Sequence, residues 1–271
     1  MTTATLPTFY LSHGGGPWPW MKGPHYEAHR KLEAALQKLP QLVGVTPKAV
    51  LIVSAHWEAK DFAVMSHPRP PMLYDYSGFP ENTYQIHYTA PGAPELAQRV
   101  QELLEGAGIA AHLDPARGFD HGAFVPLAVI YPEANVPVVQ LSLKRGLDPR
   151  EHLAAGRALA ALRNEGVLII GSGSSYHNLR MQGPESKAPS AAFDDWLQRT
   201  VESRNFGERT AALTSWETAP SARVAHPREE HLLPLMVAVG AAEQDVATRF
   251  YNENTFFGSG SVSSFMFTKT A

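Results

Sequence analysis

Three histidines each follow a short apolar run that has the composition of a buried β-strand. The pairs are residues 49–53 with His56, residues 8–12 with His13, and residues 167–171, through a Gly/Ser turn, with His177. Apolar runs of this length are typical of strands buried on both faces of a parallel sheet. Ligands of open α/β sheets bind beyond the carboxyl ends of the strands. We therefore expect these imidazoles to meet at one edge of the sheet and to form a site there.

The chemistry of such a site follows from the ligand types. Imidazole suits iron, zinc, copper and nickel, whereas magnesium and calcium prefer oxygen ligands. The chain contains no cysteine, so any metal must be held by His, Asp or Glu. Two or three histidine ligands with open positions fit either a catalytic zinc or a non-haem Fe(II) site. Further histidines are then free to transfer protons, since their ordinary pKa is near neutral.

The rest of the chain alternates between predicted helices and predicted strands. The periodicity predicts helices at residues 26–39, 94–105, 150–163, 191–201 and 226–239, and further strands at 62–65, 109–113, 136–143, 247–251 and 262–267. We find no repeat and no low-complexity tract. This alternation predicts one α/β catalytic domain over residues 1–271, with a central mostly parallel or mixed sheet flanked by helices and the metal site at the strand ends.

Residues 66–92 form a long segment rich in proline and aromatic residues. A flexible surface loop is the simpler interpretation, but so many aromatic rings favour burial. Long loops within a compact domain are often lids or binding loops. We therefore expect this aromatic loop to form a lid or pocket wall, with Tyr76 and Phe79 contacting the substrate.

Composition narrows the partners and the location. A formal net charge of -3 gives no basic footprint, so nucleic acid is not an expected partner. No apolar run approaches the roughly 20 residues of a membrane helix. No signal peptide is recognisable at the N-terminus. We expect a cytoplasmic monomer or small homo-oligomer with no membrane association.

Two familiar glycine motifs are excluded by their context. The sequence His13-Gly14-Gly15-Gly16 is similar to the oxyanion loop of lipases, but the chain contains no Gly-x-Ser-x-Gly elbow. A dinucleotide fingerprint beginning at Gly171 would need a small residue where Tyr176 stands.

Several motifs together resemble the 4,5-DOPA extradiol dioxygenase group of the class III (protocatechuate 4,5-dioxygenase-type) extradiol ring-cleaving dioxygenases. They occur in the expected order from residue 12 to about residue 240, so the resemblance covers nearly the whole chain. The motifs are Ser12-His13-Gly14-Gly15-Gly16-Pro17, Ser54-Ala55-His56-Trp57, Tyr74-Asp75-Tyr76-Ser77-Gly78-Phe79-Pro80, Tyr88-Thr89-Ala90-Pro91-Gly92, Gly118-Phe119-Asp120-His121-Gly122, Val139-Gln140-Leu141-Ser142, His177-Asn178-Leu179 and Glu230-His231-Leu232-Leu233-Pro234-Leu235.

The resemblance implies a mononuclear Fe(II) enzyme that uses O₂ to open a catechol, DOPA-like or related, beside its two hydroxyls. Zn(II) is an expected substitute in purified protein, because zinc binds such sites more tightly. By position, His13, His56 and His231 are metal ligands. His177 matches the acid/base histidine and lies close enough to ligate the metal when substrate is absent. His121 matches a second active-site histidine that contacts substrate or oxygen.

One departure from the wider class concerns the third ligand. That class uses two histidines and a carboxylate, whereas here His231 stands at the matching position beside Glu230. We favour His231 and keep Glu230 as the reserve ligand, because adjacent helical residues point about 100° apart and should not both bind.

The other histidines receive simpler interpretations, and two other functions remain open. His226 is predicted to contact substrate or to support the site, and His67 and His87 are weaker candidates. The four remaining histidines are predicted to lie on the surface: His25, His29, His112 and His152.

The alternative functions are a zinc-dependent hydrolase on the same histidines and a non-enzymatic binding protein of the same fold.

Overall fold

A mixed sheet of eight strands positions the histidines, and the computed structural model describes it within residues 5–270. In chain order the strands are β1 (Thr8–Ser12), β2 (Ala49–Ala59), β3 (Phe62–Met65), β4 (Ala111–Asp114), β5 (Val138–Lys144), β6 (Val167–Gly173), β7 (Val246–Phe256) and β8 (Gly260–Thr268). Their order across the sheet is β4-β3-β5-β2-β6-β1-β8-β7. The central strands β5, β2, β6 and β1 run parallel. The outer pairs β3–β5, β1–β8 and β7–β8 are antiparallel. The predicted α/β class with a mixed sheet is confirmed.

The helices of the described residues lie between and around these strands. They are α1 (Pro24–Glu27), α2 (Arg30–Gln37), α3 (Leu39–Val43), α4 (Pro94–Gly106), α5 (His121–Ile130), α6 (Pro149–Leu159), α7 (Lys187–Val201), α8 (Phe206–Thr214), α9 (Ala222–Ala225) and α10 (Leu233–Ala241). No helix within residues 5–270 is long and apolar enough to cross a membrane.

Two apolar helices cover opposite faces of the central strands. Adjacent residues of a strand point to opposite faces. In β6, a Cβ on Gly171 would lie 2.2 Å from the carbonyl oxygen of Pro234 in α10, so only glycine allows this approach. The next residue, Ser172, donates its hydroxyl to the carbonyl of Gly122 in α5. Because both faces are covered, β6 is buried along its whole length, which explains its continuous apolar run.

The structure corrects several predicted element boundaries. The helix predicted at 226–239 begins only at Leu233, because the carbonyl of His231 accepts hydrogen bonds from the Tyr10 hydroxyl at 2.9 Å and from the Ser174 amide at 3.1 Å. The helix predicted at 26–39 is divided into α1, α2 and the start of α3. Helix α8 was not predicted. The aromatic loop contains only one short 3-10 helix, at Glu81–Gln85.

Candidate metal centre

Five histidines reach one region from five different elements. His13 follows β1 directly, His56 lies within β2, and His121 is the first residue of α5. His177 lies four residues beyond β6, and His231 lies two residues before α10. The parallel pairing of β2 with β6 ends at Ser54, so the part of β2 that carries His56 extends beyond it. The structure therefore places His13, His56 and His177 at the carboxyl ends of the neighbouring strands β1, β2 and β6.

The Nε2 atoms of His13 and His231 each lie close to Nε2 of His56. The Nε2 atom of His56 lies 3.2 Å from Nε2 of His13 and 3.2 Å from Nε2 of His231. With metal–nitrogen bonds of about 2.0–2.1 Å, neighbouring ligand nitrogens around one ion lie roughly 3–3.4 Å apart. Each of these two distances is therefore that of two nitrogens bound to one metal ion.

The partners of Nδ1 in His56 and His231 leave the Nε2 atoms of these two rings with free lone pairs. Nδ1 of His231 lies 2.8 Å from Oε1 of Glu230, and Nδ1 of His56 lies 3.5 Å from Oδ2 of Asp75. An ionised carboxylate only accepts hydrogen bonds, so each Nδ1 carries the proton and each Nε2 is bare. Burial, followed by the neighbouring histidines, lowers the pKa of His13, His56 and His231 well below the ordinary value. Bare lone pairs 3.2 Å apart repel unless a cation lies between them, so the donor set fits a metal site.

Glu230 accepts from two histidines rather than pointing at the three nitrogens. Its Oε1 lies 2.8 Å from Nδ1 of His231 and 3.1 Å from Nδ1 of His177. The two rings stack with centroids 3.3 Å apart and planes 17° apart. Burial is the largest influence and raises the pKa of Glu230, but the hydrogen bond from His177, a backbone hydrogen bond and the charges of His177 and Arg228 together outweigh burial, and the net pKa is lowered. Glu230 is therefore an ionised acceptor shared by the two imidazoles.

Asp75 has the same relation to the other pair of histidines. Its Oδ1 accepts from Nδ1 and from the backbone amide of His121, both at 2.9 Å, while Oδ2 faces His56. The rings of His56 and His121 have centroids 3.9 Å apart. Burial is the largest influence and raises the pKa of Asp75, but the side-chain hydrogen bond from His121, the charge of His121 and two backbone hydrogen bonds together outweigh burial, and the net pKa is below normal. Sequence reasoning missed this role. The available signal was a single acidic residue among the tyrosines of the aromatic loop.

The first turn of α5 is fixed by the buried carboxylate of Asp120. Asp120 caps the helix by accepting from the Ala123 amide at 3.2 Å. Its other partners are Ser54 at 2.7 Å, Arg117 at 2.6 Å and the Gln140 amide. This network, which sequence reasoning also missed, holds the histidine that follows Asp120 against β2.

The five histidines line one cavity of about 400 Å³, which is in the size range of ligand pockets. Tyr76 and Phe79 of the aromatic loop form part of its wall. The Tyr76 ring packs edge-on against His121 with centroids 5.8 Å apart. The remaining lining residues are Ser12, Gly14, Gly15, Gly16, His25, Ser174, Tyr176, Asn178, Leu179, Gln182, Ser186, Phe256, Phe257 and Gly260.

His226 does not lie where a substrate contact requires it. Its side chain is fully buried between the rings of Phe193 and Trp216, and it is not part of the cavity lining. Its Nε2 bonds to the carbonyl of Ser175 at 3.0 Å, and burial lowers its pKa to about 3. The structure therefore corrects the predicted substrate contact: His226 lies behind the segment that carries His177.

The histidines predicted to lie on the surface divide into three groups. His112 is exposed as predicted. His29 and His152 are fully buried, so that prediction is wrong for both, and His25 lines the cavity. His29 accepts from the Gly15 amide and His152 from the Lys144 amide. The helical periodicity of the sequence does not predict these tertiary hydrogen bonds. His67 and His87 are not part of the lining.

Known proteins identify the enzyme class that this geometry serves. Residues 5–266 match the sequence model of the family described as the catalytic LigB subunit of aromatic ring-opening dioxygenase. The chain belongs to this family. It is an extradiol ring-cleaving dioxygenase, so its reactants are a small aromatic molecule and O₂.

Relatives of this dioxygenase match it over most of their length. It is 42% identical to the 4,5-DOPA dioxygenase extradiol of Beta vulgaris, over 97% of each chain. It is 35% identical to the Escherichia coli K12 protein of the same name, over 89% of this chain and 87% of that one. The crystal structure of an uncharacterised protein from Escherichia coli K12, 30% identical, superposes with a TM-score of 0.77 and covers 96% of this chain and 99% of that one.

Proposed function

We propose that this dioxygenase opens a catechol with O₂ at a mononuclear Fe(II) held by Nε2 of His13, His56 and His231. The observation that carries the proposal is the approach of Nε2 of His13 and Nε2 of His231 to Nε2 of His56, each at 3.2 Å. When bound, a metal ion lowers the pKa of a coordinated phenol, and iron also supplies electrons for O₂ chemistry. Zn(II) is the expected substitute in purified protein.

His231, not Glu230, is the third ligand in this proposal. The Glu230 oxygen nearest to the imidazoles already accepts from Nδ1 of His231 and Nδ1 of His177. A carboxylate in this position fixes the tautomer and the orientation of the ligand histidine.

His177 is the proposed general base. Because Glu230 accepts from its Nδ1, its Nε2 is bare and able to take a catechol proton, and the carboxylate then stabilises the imidazolium. His121, whose Nδ1 is held by Asp75, lines the same cavity and is assigned a hydrogen bond to the substrate.

Tyr76 and Phe79 cover the reacting groups and exclude water. Burial raises the pKa of Tyr76 to about 12, so its hydroxyl stays protonated and donates to the Thr83 carbonyl. The Tyr76 ring is thereby fixed as a wall and takes no part in proton transfer.

The substrate class follows from the relatives. Several are named for DOPA, a catechol with one further ring substituent, so we propose a catechol of this DOPA-like, substituted class. We further propose a cytoplasmic monomer or small homo-oligomer without a nucleic-acid or membrane partner, in keeping with the net charge of -3.

The decisive experiment combines metal content with oxygen uptake. Protein loaded anaerobically with Fe(II) should contain one iron per chain, consume O₂ with a catechol and yield a ring-opened product. His13→Ala should show neither iron nor uptake, and Zn(II)-loaded protein should be inactive. Iron-loaded protein that consumes no O₂ with any catechol would overturn the proposal. Hydrolytic activity of the zinc form would then support the alternative hydrolase.

A further inference from the structure

One of the three proposed ligands, His13, differs from the other two in how its ring is supported. Nδ1 of His231 lies 2.8 Å from Glu230. Nδ1 of His56 lies 3.5 Å from Asp75. The buried Nδ1 of His13 has no side-chain partner among the described residues. Ligand histidines usually depend on a partner at the second ring nitrogen for their orientation, so the orientation of His13 depends on the backbone that carries it.

The chain that follows His13 is held by one tryptophan and one histidine. The carbonyl of His13 accepts the indole N–H of Trp18 at 2.8 Å. The Trp18 ring stacks on His29 with centroids 5.0 Å apart and planes 3° apart. His29 in turn accepts the amide N–H of Gly15 on its Nε2 at 2.9 Å. His29 is therefore joined to this part of the chain by two routes, through Trp18 and through Gly15.

Hydrogen bonds fix the His29 ring as one neutral tautomer. Its Nδ1 lies 2.7 Å from the carbonyl oxygen of His25, and its Nε2 faces an amide N–H that can only donate. Nδ1 therefore carries the proton and Nε2 is the acceptor. Burial lowers the pKa of His29 to about 4, so the ring stays neutral near pH 7. Nε2 of His25 bonds to the Gly15 carbonyl at 2.9 Å, so the two histidines hold both polar groups of this glycine.

Gly14 lies directly against the two stacked rings. A Cβ there would lie 2.4 Å from Nε1 of Trp18 and 2.7 Å from Cδ2 of His29. Its φ of 81° also favours glycine. Both rings are fully buried. Close packing of this kind allows little movement of the loop that lines the cavity beside His13.

We propose that His29 is a positioning residue for the metal ligand His13, acting through Gly15 and Trp18 in place of a carboxylate. The inference rests on the proposed function, which makes His13 a ligand. His29 is not part of the cavity lining, so it acts through the loop and not on the substrate. Loss of its acceptor nitrogen would leave the Gly15 amide without this partner and loosen the chain beside His13, so metal binding would weaken.

The test compares two replacements of His29 by anaerobic titration with Fe(II). His29→Phe keeps a ring against Trp18 but removes the acceptor, whereas His29→Gln offers an amide oxygen near the place of Nε2. We expect His29→Phe to weaken Fe(II) binding by about 10–100-fold, the usual effect of losing a group that supports a ligand. His29→Gln should recover most of this loss.

His152 is the matched control, because it has the same pattern of hydrogen bonds outside the cavity lining. It is also fully buried, accepts the Lys144 amide on Nε2 at 3.2 Å and bonds to the Asp148 carbonyl through Nδ1 at 2.8 Å. His152→Phe should lose stability and still bind Fe(II) with wild-type affinity. Equal weakening in His152→Phe and His29→Phe would show only a general loss of structure, and wild-type affinity in His29→Phe would overturn the inference.

A second variant decides the matter if His29→Phe does not fold. Trp18→Phe keeps an aromatic ring and removes the N–H that the His13 carbonyl accepts. It should weaken Fe(II) binding and shift the visible absorption bands of Co(II)-loaded protein, which respond to ligand geometry. Unchanged affinity and unchanged bands would then contradict the inference. The proposed function fails separately, if wild type binds no Fe(II) or if His13→Ala binds it as tightly as wild type.

Discussion

His177 and His231 stack face to face, yet their surroundings differ in one decisive way. His231 is almost fully buried and its Nε2 faces that of His56, whereas the His177 side chain is 24% exposed and lines the open cavity. Both share the Glu230 carboxylate. At the scale of single residues, burial therefore favours His231 as ligand and His177 as base.

The first prediction separates these two roles. His177→Ala should keep most of its metal and lose about 10²–10⁴ in kcat, the usual contribution of general acid–base catalysis. His13→Ala should lose both metal and activity. Metal analysis and oxygen uptake check both variants, with His112→Ala, an exposed histidine, as the control. Metal-free His177→Ala beside fully loaded His231→Ala would show that the two roles are exchanged.

The second prediction concerns Glu230. If it only orients His231 and His177, Glu230→Gln should weaken metal binding by about 10–100-fold without abolishing it. Glu229→Gln changes the adjacent carboxylate, which pairs with Arg223 instead, and should bind metal normally. Titration with Fe(II) under anaerobic conditions measures both affinities. Complete loss of binding in Glu230→Gln would make Glu230 a ligand.

At the scale of elements, the aromatic loop combines a cavity wall with a self-packed scaffold. Tyr76 and Phe79 line the cavity, whereas the Tyr74 hydroxyl donates to the Ile86 carbonyl within the loop. We predict that Tyr76→Ala and Phe79→Ala reduce kcat/KM by more than their loss of stability explains. Both rings are only half-buried, so each variant should lose less free energy of unfolding than the roughly 3–5 kcal/mol of a core Phe→Ala change.

Tyr74→Ala is the control for the loop. It should lower the melting temperature while changing activity little once the protein is folded. Thermal melts and steady-state kinetics on the same preparations decide the matter. Parallel losses of stability and activity in all three variants would mean that these side chains only stabilise the fold and have no separate role in turnover.

His152 in helix α6 makes the stability of the folded protein depend on pH. Its ring is fully buried, accepting from the Lys144 amide at 3.2 Å and bonding the Asp148 carbonyl at 2.8 Å. Burial lowers its pKa to about 4. The unfolded chain binds this proton near pH 6.5, so acid favours unfolding, and stability is lost as pH falls from about 6.5 to about 4.

The prediction for His152 follows from that sign. Between about pH 7.5 and about pH 5, wild type should lose about 2 kcal/mol more stability than His152→Gln, which cannot titrate. Urea unfolding of the metal-free proteins at several pH values measures the difference. Parallel stability curves for the two proteins would show that His152 is not buried as a neutral ring.

At the scale of the whole molecule, the site joins β1, β2 and the segment before α10 through His13, His56 and His231. A metal that binds only the folded chain adds about 2.7 kcal/mol of stability at a free concentration 100 times Kd. For a chain of this size, that amounts to a melting temperature higher by about 5 °C or more.

Removal of the metal should therefore lower the melting temperature of wild type by about that amount. The same chelator should leave the melting temperature of His13→Ala unchanged. Calorimetry before and after chelation is the measurement. An equal fall in both proteins would place the stabilising metal elsewhere.

The sequence by itself determined the fold class and the meeting of the strand-end histidines. The runs before His13, His56 and His177 are continuous and apolar because their strands are covered on both faces, and that pattern is local and readable. The motifs predicted the other site residues, including His121 and His231, because a motif consists only of residue types and their order along the chain.

Only the tertiary structure decided the partners of these residues. The contacts of Asp75 with His121 and of Glu230 with His177 join segments 46 and 53 residues apart, and no periodicity encodes such pairs. The burial of His29 and His152 and the place of Phe257 in the wall were hidden for the same reason. Each depends on which surface packs over the residue, and that surface is supplied by chain distant in sequence.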